Sequence, residues 1–215
     1  MNKKQAKIIF ESEIKDPYNQ VILQCFGKVC SMICNHGEYN KRSRISEKSK
    51  KQEKLFCMLL EKFKYRLHSG KIVPAIDIFD FLSESENGFD WIHRPSGVKI
   101  SVKHSKNKLT VYIKNCISNF SLPENVDYVF ITTTGSLTKP AGLYVTDFEL
   151  MKPEIICKKN SSKLLYKINF HHVIHYVECE YTMISYNQKK QICETENTSE
   201  QCILALFGNV YMGEV

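Results

Sequence analysis

An aspartate, a serine and a lysine sit in a segment whose residue pattern folds them toward one another. Asp90 lies within Phe89-Asp90-Trp91-Ile92-His93, and Ser101 and Lys103 lie within Val98-Lys99-Ile100-Ser101-Val102-Lys103. Val98, Ile100 and Val102 alternate with Lys99, Ser101 and Lys103, the period of a strand with one buried face. Arg94-Pro95-Ser96-Gly97 between the two runs places proline and glycine where a type I turn favours them. The expected product is a hairpin that sets Asp90 beside Ser101 and Lys103. A carboxylate next to an ammonium on paired strands suits holding a divalent metal against a phosphodiester. Mg²⁺ takes hard oxygen ligands and keeps several waters. Asp90 would supply an anionic oxygen and the Val102 carbonyl a second, while Lys103 would orient the attacking water and neutralise a phosphate oxygen.

The flanking elements must position that hairpin. Asp16-Pro17 reads as a helix start, followed by Tyr18, Ile22, Cys25, Phe26, Val29 and Ile33 at helical spacing, which predicts a helix near 17–34. From Asn40 to Lys54 the chain is basic and polar. It then acquires a stripe of Leu55, Leu59, Leu60 and Phe63 that predicts a helix ended by Gly70. Ile72 to Leu82 reads as a second helix. Beyond the hairpin, Leu109 to Phe120 has a β-branched first half but fits a helical stripe through Tyr112, Ile113, Cys116, Ile117 and Phe120, which predicts a helix with a frayed or extended start. Asp127 to Thr132 and Gly142 to Val145 read as strands, with Thr146 capping a short helical turn. Leu164 to Phe170 and Val173 to Met183 look extended, Asn187 to Gln201 is a polar connection, and Cys202 to Tyr211 is an apolar closing element. The domain reading is an N-terminal helical segment over 1–45, a core over 46–150 and a β-rich extension over 151–215 that packs on it.

Composition sets outer limits. The 215-residue chain is 43% hydrophobic and 25% charged, which suits a globular fold with a real core. Thirty Lys+Arg against 23 Asp+Glu gives +7, a balance that suits a polyanion. The nine cysteines are odd in number and scattered, and Met1-Asn2-Lys3-Lys4-Gln5 is no secretory start. That combination predicts a reducing intracellular setting, cytoplasmic or, in a eukaryote, nuclear. No apolar run approaches the ~20 residues of a membrane span, so no membrane partner is expected.

The order helix, hairpin, helix, buried strand and Gly-Leu-Tyr-Val strand, with Asp90 and Ser101-Val102-Lys103 in place, resembles the restriction-endonuclease-like PD-(D/E)XK phosphodiesterase superfamily over residues 46–150. The resemblance implies an α/β fold with a mixed central sheet flanked by helices. It also implies Mg²⁺- or Mn²⁺-dependent hydrolysis of DNA (RNA remaining open) by a homodimer. Ser101 stands where the family usually carries Glu or Asp. Some branches, including a group of tetrameric restriction enzymes, carry a similar Lys-x-Ser-x-Lys and recruit an acid from a helix. Glu53 is the candidate here, with Glu61 as the alternative. On this reading Asp90, Glu53 and the Val102 carbonyl hold metal, Ser101 lines the site and Lys103 is the catalytic cation. Lys99, Lys106 and the basic segment with Lys41, Arg42, Arg44, Lys50 and Lys51 face the nucleic-acid backbone.

Two contrasting expectations stand beside it. One is a silent nuclease-like fold acting as a basic nucleic-acid-binding or regulatory protein. The other is an adaptor whose charge is incidental. Cys25, Cys30, Cys34 and His36 match no zinc spacing and read as small core hydrophobes with a nearby histidine. His171, His172, His175 and Cys179 would share a face if helical, but Val173, Ile174, Tyr176 and Val177 favour a strand that separates them. No glycine-rich phosphate loop or Gly-x-Ser-x-Gly elbow is present.

Overall fold

The structure, a computed structural model, describes residues 1–34, 57, 60–81, 89–105, 110–113, 125–133, 141–157, 164–167 and 169–179. In chain order the elements are α1 (Lys3–Lys15), α2 (Gln20–Cys34), β1 (Lys64–Arg66), β2 (Ile72–Pro74), β3 (Phe79–Phe81), β4 (Trp91–His93) and β5 (Val98–Ser105). They continue with β6 (Thr110–Ile113), β7 (Tyr128–Thr133), β8 (Ala141–Asp147), α3 (Phe148–Met151), β9 (Ile156–Cys157), β10 (Leu164–Lys167) and β11 (Val173–Cys179). The fold is α/β. Its centre is a six-stranded mixed sheet in the order β11-β8-β7-β5-β4-β3, in which only β5 and β7 run parallel. A three-stranded sheet β6-β10-β9 and the β1–β2 hairpin stand apart from it.

Helices α1 and α2 cover one face of the central sheet. Phe10 and Ile14 of α1 and Ile22, Leu23 and Phe26 of α2 bury against Trp91, Ile100, Tyr128, Phe130, Leu143 and Val145. Each such Phe or Ile contributes about 1.5–3 kcal/mol by leaving water. Aromatic rings lock the contact: Phe26 meets Trp91 edge-on at 4.4 Å, and Phe10 lies 4.6 Å from Tyr128. The other face packs Val129 and Ile131 of β7 with Phe89, Val126, Phe148 and Met151. Alternation along β7 therefore feeds both layers, and the sequence reads as a continuous apolar run because both faces are covered.

Several elements differ from expectation. Helix α1 lies in the N-terminal segment expected to be helical over 1–45, at residues where the sequence pattern alone assigns no particular helix. Asn2 accepts from the Gln5 N–H at 2.9 Å and Gln5 reaches back to Asn2, a capping box ahead of a stripe through Ala6, Phe10 and Ile14. Asp16-Pro17 opens a short 3-10 turn, and α2 proper begins at Gln20. The helix expected to run to Gly70 is over by Leu60. Gly70 instead turns the β1–β2 hairpin at φ +83°. Ile72 to Leu82 is no helix where it is described: β2, a 3-10 turn and β3 replace it, because Ile72, Val73, Phe79 and Phe81 gain more from strand pairing. Thr110 to Ile113 is strand β6, paired with β10, in keeping with the extended start expected there. Asp147, not Thr146, caps α3, accepting from the Glu149 N–H at 2.9 Å. The expected β4–β5 hairpin and the β7 and β8 strands are present. The expectations for 35–56, 82–88, 114–120, 187–201 and 202–211 fall outside the described residues. Cys25 and Cys179 are buried. No described helix is long and apolar enough to cross a membrane.

Candidate functional site

The hairpin places two polar clusters at its two ends. At the turn end, Gly97 takes φ +70° and its N–H donates to the His93 carbonyl at 2.7 Å. At the open end, β4 stops while β5 continues. Trp91 is the register partner of Ile100, yet the Asp90 N–H also reaches the Ile100 carbonyl at 2.8 Å. Two residues thus face one, a bulge that re-aims the Asp90 side chain along the β5 edge.

Three groups converge on Asp90 Oδ2. The Val102 N–H donates to it at 2.6 Å and the Ser101 hydroxyl at 3.1 Å, while Lys103 Nζ lies 3.7 Å away. The structure therefore brings Asp90, Ser101, Val102 and Lys103 together, as the alternation predicted. Ser101 is buried; Asp90 and Lys103 keep 30% and 21% of their side-chain surface, so the corner is reachable from solvent. Within a strand a residue's N–H and C=O point to the same edge. The Lys103 carbonyl faces β7, where Thr132 donates to it at 3.4 Å. The Val102 carbonyl accordingly faces the Asp90 edge, beyond the end of β4. Among the described residues no contact falls on Asp90 Oδ1. Carboxylate and carbonyl oxygens such as these are the hard ligands that Mg²⁺ accepts when substrate phosphate and water complete its shell.

The second acid is less defined. Glu53 lies outside the described residues, as do Lys41, Arg42, Arg44, Lys50, Lys51 and Lys106. Glu61 is exposed and lines a groove of 660 Å³ with Tyr18, Lys62, Phe63, Lys64 and Arg66. Among the described residues Asp90 belongs to no group of three acidic, histidine or cysteine side chains close enough to share an ion. Lys99 stacks its ammonium 5.1 Å from the Phe89 ring centroid, and its N–H donates to Asp127 at 3.0 Å.

The cluster at the turn end went unrecognised in the sequence. Glu13 of α1, His93 and Ser96 are all buried. Ser96 Oγ lies 2.7 Å from His93 Nδ1, and Glu13 Oε2 lies 3.1 Å from His93 Nε2. Glu13 Oε1 accepts the His68 N–H at 2.7 Å, and Ser96 Oγ accepts the Val98 N–H at 3.3 Å. Burial pulls the His93 pKa down against the opposing pull of Glu13, and burial with Glu13 beside it pushes Tyr65 well up. Serine, histidine and glutamate in a row suggest a nucleophilic triad by letters. Their burial instead makes them a polar clamp between α1 and the hairpin. A buried glutamate on the apolar stripe of α1 was the one available signal.

No protein-family model matches this chain, and no curated protein matches it.

Proposed function

We propose that the Asp90 corner is the centre of a metal-dependent endonuclease that hydrolyses DNA phosphodiester bonds. On this reading the α/β core is a divergent restriction-endonuclease-like, PD-(D/E)XK fold acting as a homodimer. The observation that carries the reading is the convergence of Ser101, the Val102 N–H and Lys103 on one carboxylate at a strand edge that solvent reaches. Asp90 Oδ1 and the Val102 carbonyl would hold Mg²⁺ or Mn²⁺, with Glu53 as the acid recruited from outside the hairpin. Bound metal lowers the pKa of a water and offsets charge growing on the phosphate. Lys103 orients the attacking water and balances a non-bridging oxygen, while Ser101 and the Val102 N–H fix the carboxylate. Water forms the new P–O bond, the bond to the leaving ester oxygen breaks, and that oxygen takes up a proton. The net charge of +7, with Lys99, Lys106 and the 41–54 segment, suits the polyanionic substrate.

A second reading has its own support. The 2.6 Å bond from the Val102 N–H lets Asp90 extend the β4–β5 ladder by one rung, as a purely structural cap would. A silent fold that binds nucleic acid without cutting it would keep this bond. Incubation with supercoiled plasmid in Mg²⁺, Mn²⁺ or EDTA separates the two. Metal-dependent nicking supports the nuclease; salt-sensitive binding with no cutting in any metal supports the silent binder.

A further inference from the structure

Beyond the Asp90 corner, two short 3-10 turns face each other next to the start of β11. One is Lys152–Glu154, directly after α3, and the other is Phe170–His172, directly before β11. Glu154 Oε1 lies 3.0 Å from His171 Nε2 and 3.4 Å from His172 Nε2. The three ligand atoms all fall within 4.8 Å of one another. In a tetrahedral zinc site, bonds of about 2.0–2.1 Å put ligand atoms roughly 3.4 Å apart. The Glu154–His172 edge of 3.4 Å equals that spacing, and the Glu154–His171 edge of 3.0 Å is somewhat shorter. We propose that Glu154, His171 and His172 form a Zn²⁺ site with three protein ligands and one position left for water or substrate.

The geometry around these three atoms suits a cation. Both imidazoles bring Nε2 to the same carboxylate oxygen, so a cation bound among the three atoms would take the place of those two contacts. The two rings pack 3.8 Å apart, which holds both imidazoles beside the carboxylate. The outer shell is also present: the Asn169 side-chain amide donates to Glu154 Oε2, which orients the carboxylate from behind. Two histidines and a glutamate are a recurrent ligand set for zinc with an open position. Exposure is graded to suit entry, with His171 at 66%, Glu154 at 36% and His172 at 7%.

The site is separate from the proposed nuclease centre. Val173, the neighbour of His172, pairs with Thr146, which pairs with Val129, which pairs with Ser101. Three strand spacings along that row amount to roughly 14 Å. Paired catalytic metals sit about 4 Å apart, so this ion is no partner of a metal at Asp90.

The test uses the full chain stripped with EDTA and titrated with Zn²⁺ against a chromophoric chelator. Because cysteines elsewhere can take zinc, Co²⁺ spectra accompany it, and the site should add a tetrahedral d–d band without thiolate charge transfer. His171→Ala, at an exposed position that the fold does not need, should remove one equivalent of bound metal, as should Glu154→Gln. Asn169→Ala should weaken that equivalent by about 10–100-fold. Equal stoichiometry and affinity in wild type and His171→Ala would overturn the proposal. A Co²⁺ spectrum with thiolate bands alone would do the same. Neither readout depends on cleavage, so the zinc site and the nuclease centre stand or fall separately.

Discussion

The two ends of the β4–β5 hairpin carry similar polar chemistry in opposite settings. At the turn end, His93 and Glu13 keep 0% and 2% of their side-chain surface, and backbone N–H groups of His68 and Val98 complete the cluster. At the open end, Asp90 keeps 30%, and one of its carboxylate oxygens makes no contact among the described residues. The sealed network uses its donors and acceptors to hold α1 to the sheet, and its Glu13 Oε2, a buried oxygen without a hydrogen bond among the described residues, meets the His93 ring. A carboxylate at an open strand edge, which solvent reaches, retains capacity for a ligand. Residue letters alone would rank the clusters the other way, since Ser-His-Glu is the more familiar catalytic set.

The largest effect should come from breaking the sealed end. Glu13→Ala leaves the His68 N–H and His93 without their acceptor in the core, at a cost of about 3 kcal/mol or more. Urea unfolding should show it, and amide exchange in α1 should accelerate. A loss under 1 kcal/mol would mean that the cluster is no clamp. Next in size is the packing of α2 on the sheet edge. A Cβ at Gly27 would meet Cys179 Sγ at 2.3 Å, so Gly27→Ala should cost about 1–3 kcal/mol through overpacking. An unchanged urea midpoint would place α2 farther from β11.

A pH series sharpens the same comparison. Burial lowers the His93 pKa below its ordinary 6.5, so between the two values the unfolded chain binds a proton that the folded chain refuses. Stability should be full above pH 6.5 and fall as the pH drops through the lowered folded value. The slope from His93 is at most about 1.4 kcal/mol per pH unit. His175 is lowered by burial and by Lys15, acts in the same direction, and is more open to solvent. His93→Gln should flatten most of the slope in urea titrations between pH 5 and 7, and an unaltered slope would relocate the effect. The smallest change belongs to Arg94→Ala, which removes a half-exposed pair with Asp80 and should cost under about 1 kcal/mol by thermal unfolding.

The open end was far more legible in the sequence than the sealed end. Alternation of Val98, Ile100 and Val102 sets which side chains share a face, and Pro95 and Gly97 locate the turn, so Asp90 could be brought to Ser101 and Lys103 from local pattern. Glu13 and His93 meet through tertiary packing of a helix on a distant strand, and no short-range spacing encodes that. Glu154 and His171 are likewise joined across two turns with a strand pair between them. The misread helix over 72–82 has its own cause. Ile76, Ile78, Phe79 and Phe81 fit both a helical stripe and short alternating strands, and pairing with β4 settles the choice. The stripe after Leu55 misled for a related reason, because Phe63 keeps the helical spacing while the chain has already turned toward β1.

Lys103→Met tests the central claim most directly, because it keeps the aliphatic stem and removes only the ammonium beside Asp90. Nicking of supercoiled plasmid in Mg²⁺ would be measured for this variant and the wild type, with urea midpoints determined on the same preparations. Cleavage should fall about 10²-fold or more while stability shifts by under about 1 kcal/mol. Full nicking by Lys103→Met would contradict that claim and remove the Asp90 corner as the seat of the chemistry.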